Sequence, residues 1–210
     1  MNYLYDNYET FLESDYFIEN EEKLEESNDT KDFMDLIANM VVSPKCGLEL
    51  YINTKLREID YNFLEKIISN YSLDINDSYK IPTDSHIPTT LLNSFCEFRD
   101  DKIVEKLLDS GADPNVVDTI NYTPFKSLIS GHSAGDIGRD HKKVIKLIKK
   151  MIEKGMVPHL EKWQYEELYM PYISKDKFFE DLSKNIVIHE NSKENYLENY
   201  FNKVNLDCSE

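Results

Sequence analysis

The stretch from Gly131 to Lys143 gathers His132, Asp136, Arg139, Asp140 and His141. Imidazoles beside carboxylates are the groups that move protons near neutral pH or hold a divalent metal. The remaining parts of either chemistry are missing. There is no phosphate loop of the form G-x-x-x-x-G-K-[ST], and Gly135-x-x-Gly138 lacks the rest of that motif. No G-x-S-x-G elbow occurs, and His86, His132, His141, His159 and His189 show no metal-ligand spacing with each other or with Cys46, Cys96 and Cys208. The expectation is no catalytic residue, no metal and no cofactor, hence a protein that is not an enzyme. The stretch then reads either as a loop that meets a partner, with Asp136, Arg139 and Asp140 as its candidate contacts, or as an inert loop. Asn28, Asn76 and Asn121 each begin an N-x-[ST] triplet. With no secretory signal in view these read as chance, the last two in turns that Asn favours.

A chain of 210 residues with 40% apolar content is long enough for one compact domain or a short repeat array. Its 24 Lys and Arg against 40 Asp and Glu give a formal charge of −16. That charge opposes binding to phosphate backbones or anionic membranes, and it favours either a basic partner or solubility alone. No run of 18 apolar residues exists, and the N-terminus is acidic where a signal peptide is basic and then apolar. The expected location is cytoplasmic, with the three scattered cysteines reduced.

Charge divides the chain into three segments. Residues 1–30 carry a net −9, residues 31–160 a net −2 and residues 161–210 a net −5. The first segment is also rich in Tyr and Phe, which sets it apart from an ordinary disordered tail. It reads either as an amphipathic cap with a solvated acidic face or as an acidic surface for a basic partner. Glu9, Glu13, Glu19, Glu22 and Glu26 are the candidate acidic surface.

The middle segment contains internal self-similarity. Phe63-Leu64-x-x-Ile67-Ile68, Ile103-Val104-x-x-Leu107-Leu108 and Leu147-Ile148-x-x-Met151-Ile152 share apolar positions i, i+1, i+4 and i+5. That spacing predicts helices with one broad apolar face. Gly111 and Gly155 follow the second and third, where a left-handed helix cap is needed, and Pro114 and Pro158 lie three residues beyond. Thr123-Pro124-Phe125 reads as a helix start: Thr caps free N–H groups and Pro at the first position loses no needed donor. Thr89-Thr90-Leu91 begins 34 residues earlier.

On these residues the chain resembles the ankyrin-repeat family, whose period is about 33 with a T-P-L-H-x-A start. Asn115 to Phe125 is similar to the family's β-turn finger running into its first helix, with Asn121 where Gly is usual; Asn tolerates positive φ. The resemblance implies an all-α, ankyrin-like helical solenoid of about three repeats with helical N- and C-terminal caps. The N-terminal segment 1–30, the array 31–160 and the cap 161–210 are its expected divisions. Spacings longer than the period predict an enlarged finger at 77–88 and an insertion at 133–143 after Gly131-His132. A short helix is expected over 32–42. Tyr165 and Tyr169 are expected as an i,i+4 pair, and helices are expected from Ser174 and from Ser192.

The resemblance also implies a non-enzymatic protein-binding module that acts through a concave surface of fingers and inner helices. Matching to the family's fingers gives Tyr79, Lys80, Asp84 and His86 in one and Asp118, Thr119, Ile120 and Tyr122 in the next as candidate partner contacts. The leading expectation is an inhibitor or immunity-type protein that neutralises a basic partner. The alternatives are a pathogen or viral effector that binds a host protein, and an acidic mimic of nucleic acid. Direct nucleic-acid and membrane binding are not expected.

Overall fold

The computed structural model describes residues 45–46, 48–49, 52, 61–70, 72–79, 88–119, 121–131 and 137–190. The acidic segment 1–30, the helix expected over 32–42, Lys80, Asp84, His86, Ile120, Asp136 and the helix expected from Ser192 lie outside those residues. The chain is mostly helical with only small sheets, and it divides into two compact units, Met1–His86 and Ile87–Glu210.

In the first unit, helix α1 (Tyr61–Asn70) buries Leu64. It ends where Ser72 turns to φ 52°, which lets the Leu73 N–H donate to the Ile68 carbonyl at 2.9 Å. This is the six-to-one hydrogen bond that closes a helix through one left-handed residue. Asp74 then accepts the Asn76 N–H on Oδ1 at 2.9 Å. Tyr79 is fully buried, and its hydroxyl donates to the Asp74 carbonyl at 2.7 Å.

The second unit begins with two helical hairpins. Helix α2 (Leu91–Glu97) is capped by Thr90, whose Oγ1 accepts the Asn93 N–H, and helix α3 (Asp101–Asp109) is capped by Asp100. Between them Arg99 takes φ 53°, and the Asp100 N–H donates to the Phe95 carbonyl at 3.1 Å. Helix α4 (Pro124–Ser130) is capped by Thr123 with Pro124 in its first turn, as the sequence predicts. Helix α5 (Ile137–Glu153) completes the second hairpin. The two threonine caps, Thr90 and Thr123, are 33 residues apart in number. The sequence alignment through Thr89 is therefore one residue out of register. Thr89 gives its hydroxyl to Asp118 instead, and Leu91 stands at the position of Pro124.

Helix α2 lies along α4, and α3 lies along α5. The i, i+1, i+4, i+5 face supplies this packing: Ile103, Val104, Leu107 and Leu108 are all buried, as are Leu147, Ile148 and Met151. Ile152, the fourth member of its set, is instead 40% exposed. Gly111 (φ 96°) and Gly155 (φ 91°) take the left-handed conformation expected of them. The next N–H groups, Ala112 and Met156, close six-to-one bonds to Leu107 and Met151. On the outer side, Asp101, Glu105 and Asp109 of α3 face Lys146, Lys150 and Lys154 at 2.6–3.3 Å.

Two expectations for this unit are corrected. Residues 137–143 of the expected insertion loop are the first turns of the 17-residue α5, which places Arg139 and Asp140 on a helix. The C-terminal segment is not purely helical. Strand β1 (His159–Glu161) pairs in parallel with strand β2 (Val187–His189), with His159 opposite Val187 and Glu161 opposite His189. Between the strands run α6, a continuous helical stretch of Lys162–Gln164, a π turn Tyr165–Tyr169 and Met170–Ile173, and then α7 (Lys177–Ser183). Tyr165 and Tyr169 do stack, with centroids 5.5 Å apart. Asp176 rather than Ser174 caps α7, which buries Phe179 and Leu182.

Candidate protein-binding groove

The finger between α3 and α4 is held by side chains rather than by a sheet. Asp113 accepts the Asn115 N–H on Oδ1 at 2.8 Å, the same turn that Asp74 makes with Asn76. Asn115 then uses both ends of its carboxamide on the segment after α5. Its Nδ2 donates to the Gly155 carbonyl at 3.0 Å, and its Oδ1 accepts the Val157 N–H at 2.7 Å. An amide that donates and accepts against one backbone segment fixes position and orientation together.

The far side of the finger turns on Asp118. Its Oδ1 accepts the Tyr122 N–H at 2.8 Å, its Oδ2 accepts the Thr89 hydroxyl at 2.9 Å, and its own N–H donates to the Tyr122 carbonyl at 3.0 Å. Asn93 Nδ2 also donates to that carbonyl, at 3.0 Å. The loop so closed carries Asn121 at φ 63°, the positive value its residue type anticipates.

Behind the finger, Lys126 on α4 and Glu161 at the end of β1 form a 2.9 Å ion pair whose side chains are only 6% and 8% exposed. Lys126 Nζ also donates to the Asn121 carbonyl at 3.3 Å. Glu161 is in addition the N-cap of α6, where its backbone N–H donates to Gln164 Oε1 at 3.0 Å. This pair ties α4, the finger and β1 to one another.

Between these parts lies a groove of about 480 Å³, lined by Asn115, Val117, Asn121, Thr123, Lys126, Val157, His159 and His189. Val117 and Val157 remain 55% and 49% exposed. At one end the imidazoles of His159 and His189 are stacked within 17° of parallel, with His159 Nδ1 3.2 Å from His189 Nε2. Burial, the His189 ring and then Lys126 hold the His159 pKa below the ordinary imidazole value. The arrangement offers apolar contact, carboxamide edges and an imidazole pair. No cluster of three or more His, Cys, Asp or Glu fit to hold a metal occurs among the described residues.

Several residues expected on the contact surface are placed elsewhere. Tyr79 is fully buried and spends its hydroxyl on Asp74; burial, followed by Asp77, Asp74 and Glu49, pushes its phenol pKa well above the ordinary value. Asp118 is buried, and its carboxylate is committed to Tyr122 and Thr89. Both are finger supports and not contact residues, because a polar group at a tight turn is consumed by the backbone it organises. Thr119 is exposed and its hydroxyl donates to the Pro88 carbonyl at 2.8 Å, while Tyr122 is half-buried. Sequence reasoning missed Asn115, Val117, Asn121, Val157, His159 and His189 as groove residues. Val117 and Val157 break the rule that turns are polar, and that was the available signal. His159 and His189 carried none, being 30 positions apart and joined only by strand pairing.

Comparisons of the chain with protein-family models, with curated proteins and with solved structures found no match.

Proposed function

We propose that the chain is a non-enzymatic protein-binding module with an ankyrin-like solenoid architecture of about three repeats. The observation that carries the reading is the groove: Val117 on the finger and Val157 on the segment after α5 stand half-exposed, on backbone already tied down by Asn115, Asp118 and the Lys126–Glu161 pair. A surface ordered before binding loses less conformational entropy when a partner arrives. The architecture is supported by the 33-residue interval between the Thr90 and Thr123 caps and by the side-by-side hairpins. The recurring left-handed closures at Ser72, Gly111 and Gly155 support it further.

The partner proposed is a basic protein, and the role that of an inhibitor or immunity-type protein. A net charge of −16 steers a cationic partner toward the chain and speeds capture at low ionic strength. No helix among the described residues is long and apolar enough to cross a membrane. Affinity capture from native lysate at low and moderate salt tests the reading. The expected result is one basic protein at a stoichiometric amount, reduced as salt rises. Retention of a neutral protein unaffected by salt contradicts the charge-driven role, and capture of none contradicts the binding role.

A further inference from the structure

The His159–His189 pair is the one place in the groove where two titratable groups sit against each other without a carboxylate between them. His159 Nδ1 and His189 Nε2 are 3.2 Å apart, within reach of one N–H···N hydrogen bond. Each ring belongs to a different strand, His159 to β1 and His189 to β2, and the strands are only three residues long. At its start β2 is held by the Val187 N–H, which donates to the Pro158 carbonyl at 2.9 Å. All three β2 residues are exposed, with Val187 at 42% and Ile188 at 40%. With these side chains exposed, β2 is held by its three-residue pairing with β1, by the contact between the rings and, one residue on, by the Lys162–Glu190 ion pair.

We propose that this imidazole pair is a proton-operated clasp that holds β2 on β1 while at most one of the two rings is charged and releases it when both are. With one proton between them, one ring donates and the other accepts. With both rings charged, both facing nitrogens carry N–H groups, the hydrogen bond has no acceptor, and two like charges face each other at contact distance. The charged neighbours do not relieve that repulsion. From α4, Lys126 adds a third positive charge, and its partner Glu161 on β1 is already engaged by it. From the residues next to the strands, Lys162 and Glu190 are paired with each other at 2.9 Å. From the finger, the groove presents Asn115 and Asn121, which do not titrate. The depressed His159 pKa, caused by burial, His189 and Lys126 in that order, agrees in direction.

The sign follows from linkage. A histidine whose pKa is lowered in the closed form binds fewer protons closed than open. The clasp is thus fully formed above the ordinary histidine pKa of about 6.5 and weakens as pH falls below it. Each unit of depression allows up to about a tenfold rise in the opening constant. Release of β2 unblocks one end of the groove and bares Val187 and Ile188. The clasp stands whether or not the groove binds a protein.

The test is on the full chain, with side-chain NMR titration of the histidines and amide hydrogen exchange at residues 187–189 from pH 7.5 to 5.0. The expected result is a His159 midpoint below the ordinary histidine value, in a titration that depends on the His189 ring. Exchange protection of β2 should fall severalfold across the same range, after correction for intrinsic rates, while α5 stays protected. In His189→Gln, an exposed position where folding is not at risk, that pH dependence should shrink to the part that burial and Lys126 impose on His159. Independent titration of both rings near the ordinary value, or β2 protection that does not change with pH, overturns the clasp. Loss of β2 protection together with that of α5 also overturns it, because that is acid unfolding of the whole unit.

Discussion

Lys126 Nζ and Glu161 Oε1 meet at 2.9 Å with almost no access to solvent, and this single contact joins the first helix of the second hairpin to the strand that follows it. Lys126 sits one turn beyond the Thr123 cap, and Glu161 begins α6. Two charges leave water here only because each neutralises the other, while the Asn121 carbonyl accepts a further hydrogen bond from the ammonium.

Removing one partner should therefore cost far more than removing both. Lys126→Met strips the buried Glu161 carboxylate of its counter-charge and should destabilise the fold by about 3–5 kcal/mol. Lys126→Met combined with Glu161→Gln keeps the acceptor of the α6 cap and should recover most of that loss. Urea denaturation of the four members of the cycle measures it. Single and double variants that differ by less than about 0.5 kcal/mol would mean the pair is incidental.

Asp118 should behave as a finger support. Asp118→Ala removes an acceptor from the Tyr122 N–H and another from the Thr89 hydroxyl, a loss of about 2–3 kcal/mol at roughly 1 kcal/mol or somewhat more for each bond. Asp118→Asn retains one carbonyl oxygen and should lose less. Thermal unfolding ranks the two variants; equal loss would mean the charge, not the hydrogen bonds, is what the finger needs.

At Gly131 the second hairpin passes close to the backbone of the first. A Cβ there would lie 2.5 Å from the Glu97 carbonyl oxygen, which is backbone and has no rotamer to give way. Gly131→Ala should destabilise the unit by about 1–3 kcal/mol through overpacking. Leu107→Ala, on the buried face of α3, should cost about 2–5 kcal/mol through a cavity. Denaturant midpoints of both variants check the packing; a near-zero change in Leu107→Ala would reject the helix faces described above.

Much of this was legible in the sequence where one residue type has one local use. Gly111 and Gly155 had to end helices, Thr123-Pro124 had to begin one, and the apolar pairs of α3 had to face inward, as Leu147, Ile148 and Met151 of α5 do. What stayed hidden was decided by tertiary hydrogen bonding. Ser72 and Arg99 take left-handed backbone without being Gly, because the six-to-one bonds at Leu73 and Asp100 hold them there. Arg99 is nearly fully buried despite its charge, donating from Nη2 to the Tyr172 hydroxyl at 2.9 Å. The first turns of α5 read as an inserted loop, since Gly135, Gly138 and the charges around them obscure the helical period. Strand β2 is too short for any alternation to show, and the groove it helps form was hidden with it.

The central claim is that the finger groove is the binding surface, and the most direct measurement is the affinity of the captured partner for the Val117→Arg, Val157→Arg double variant by calorimetry. Both side chains are half-exposed and free of core packing, so circular dichroism and thermal unfolding should match the unaltered protein. Two arginines in the groove fill it and set positive charge against a basic protein, so the expected result is at least a tenfold loss of affinity. An affinity within twofold of the unaltered protein would contradict the account and place the binding surface elsewhere on the chain.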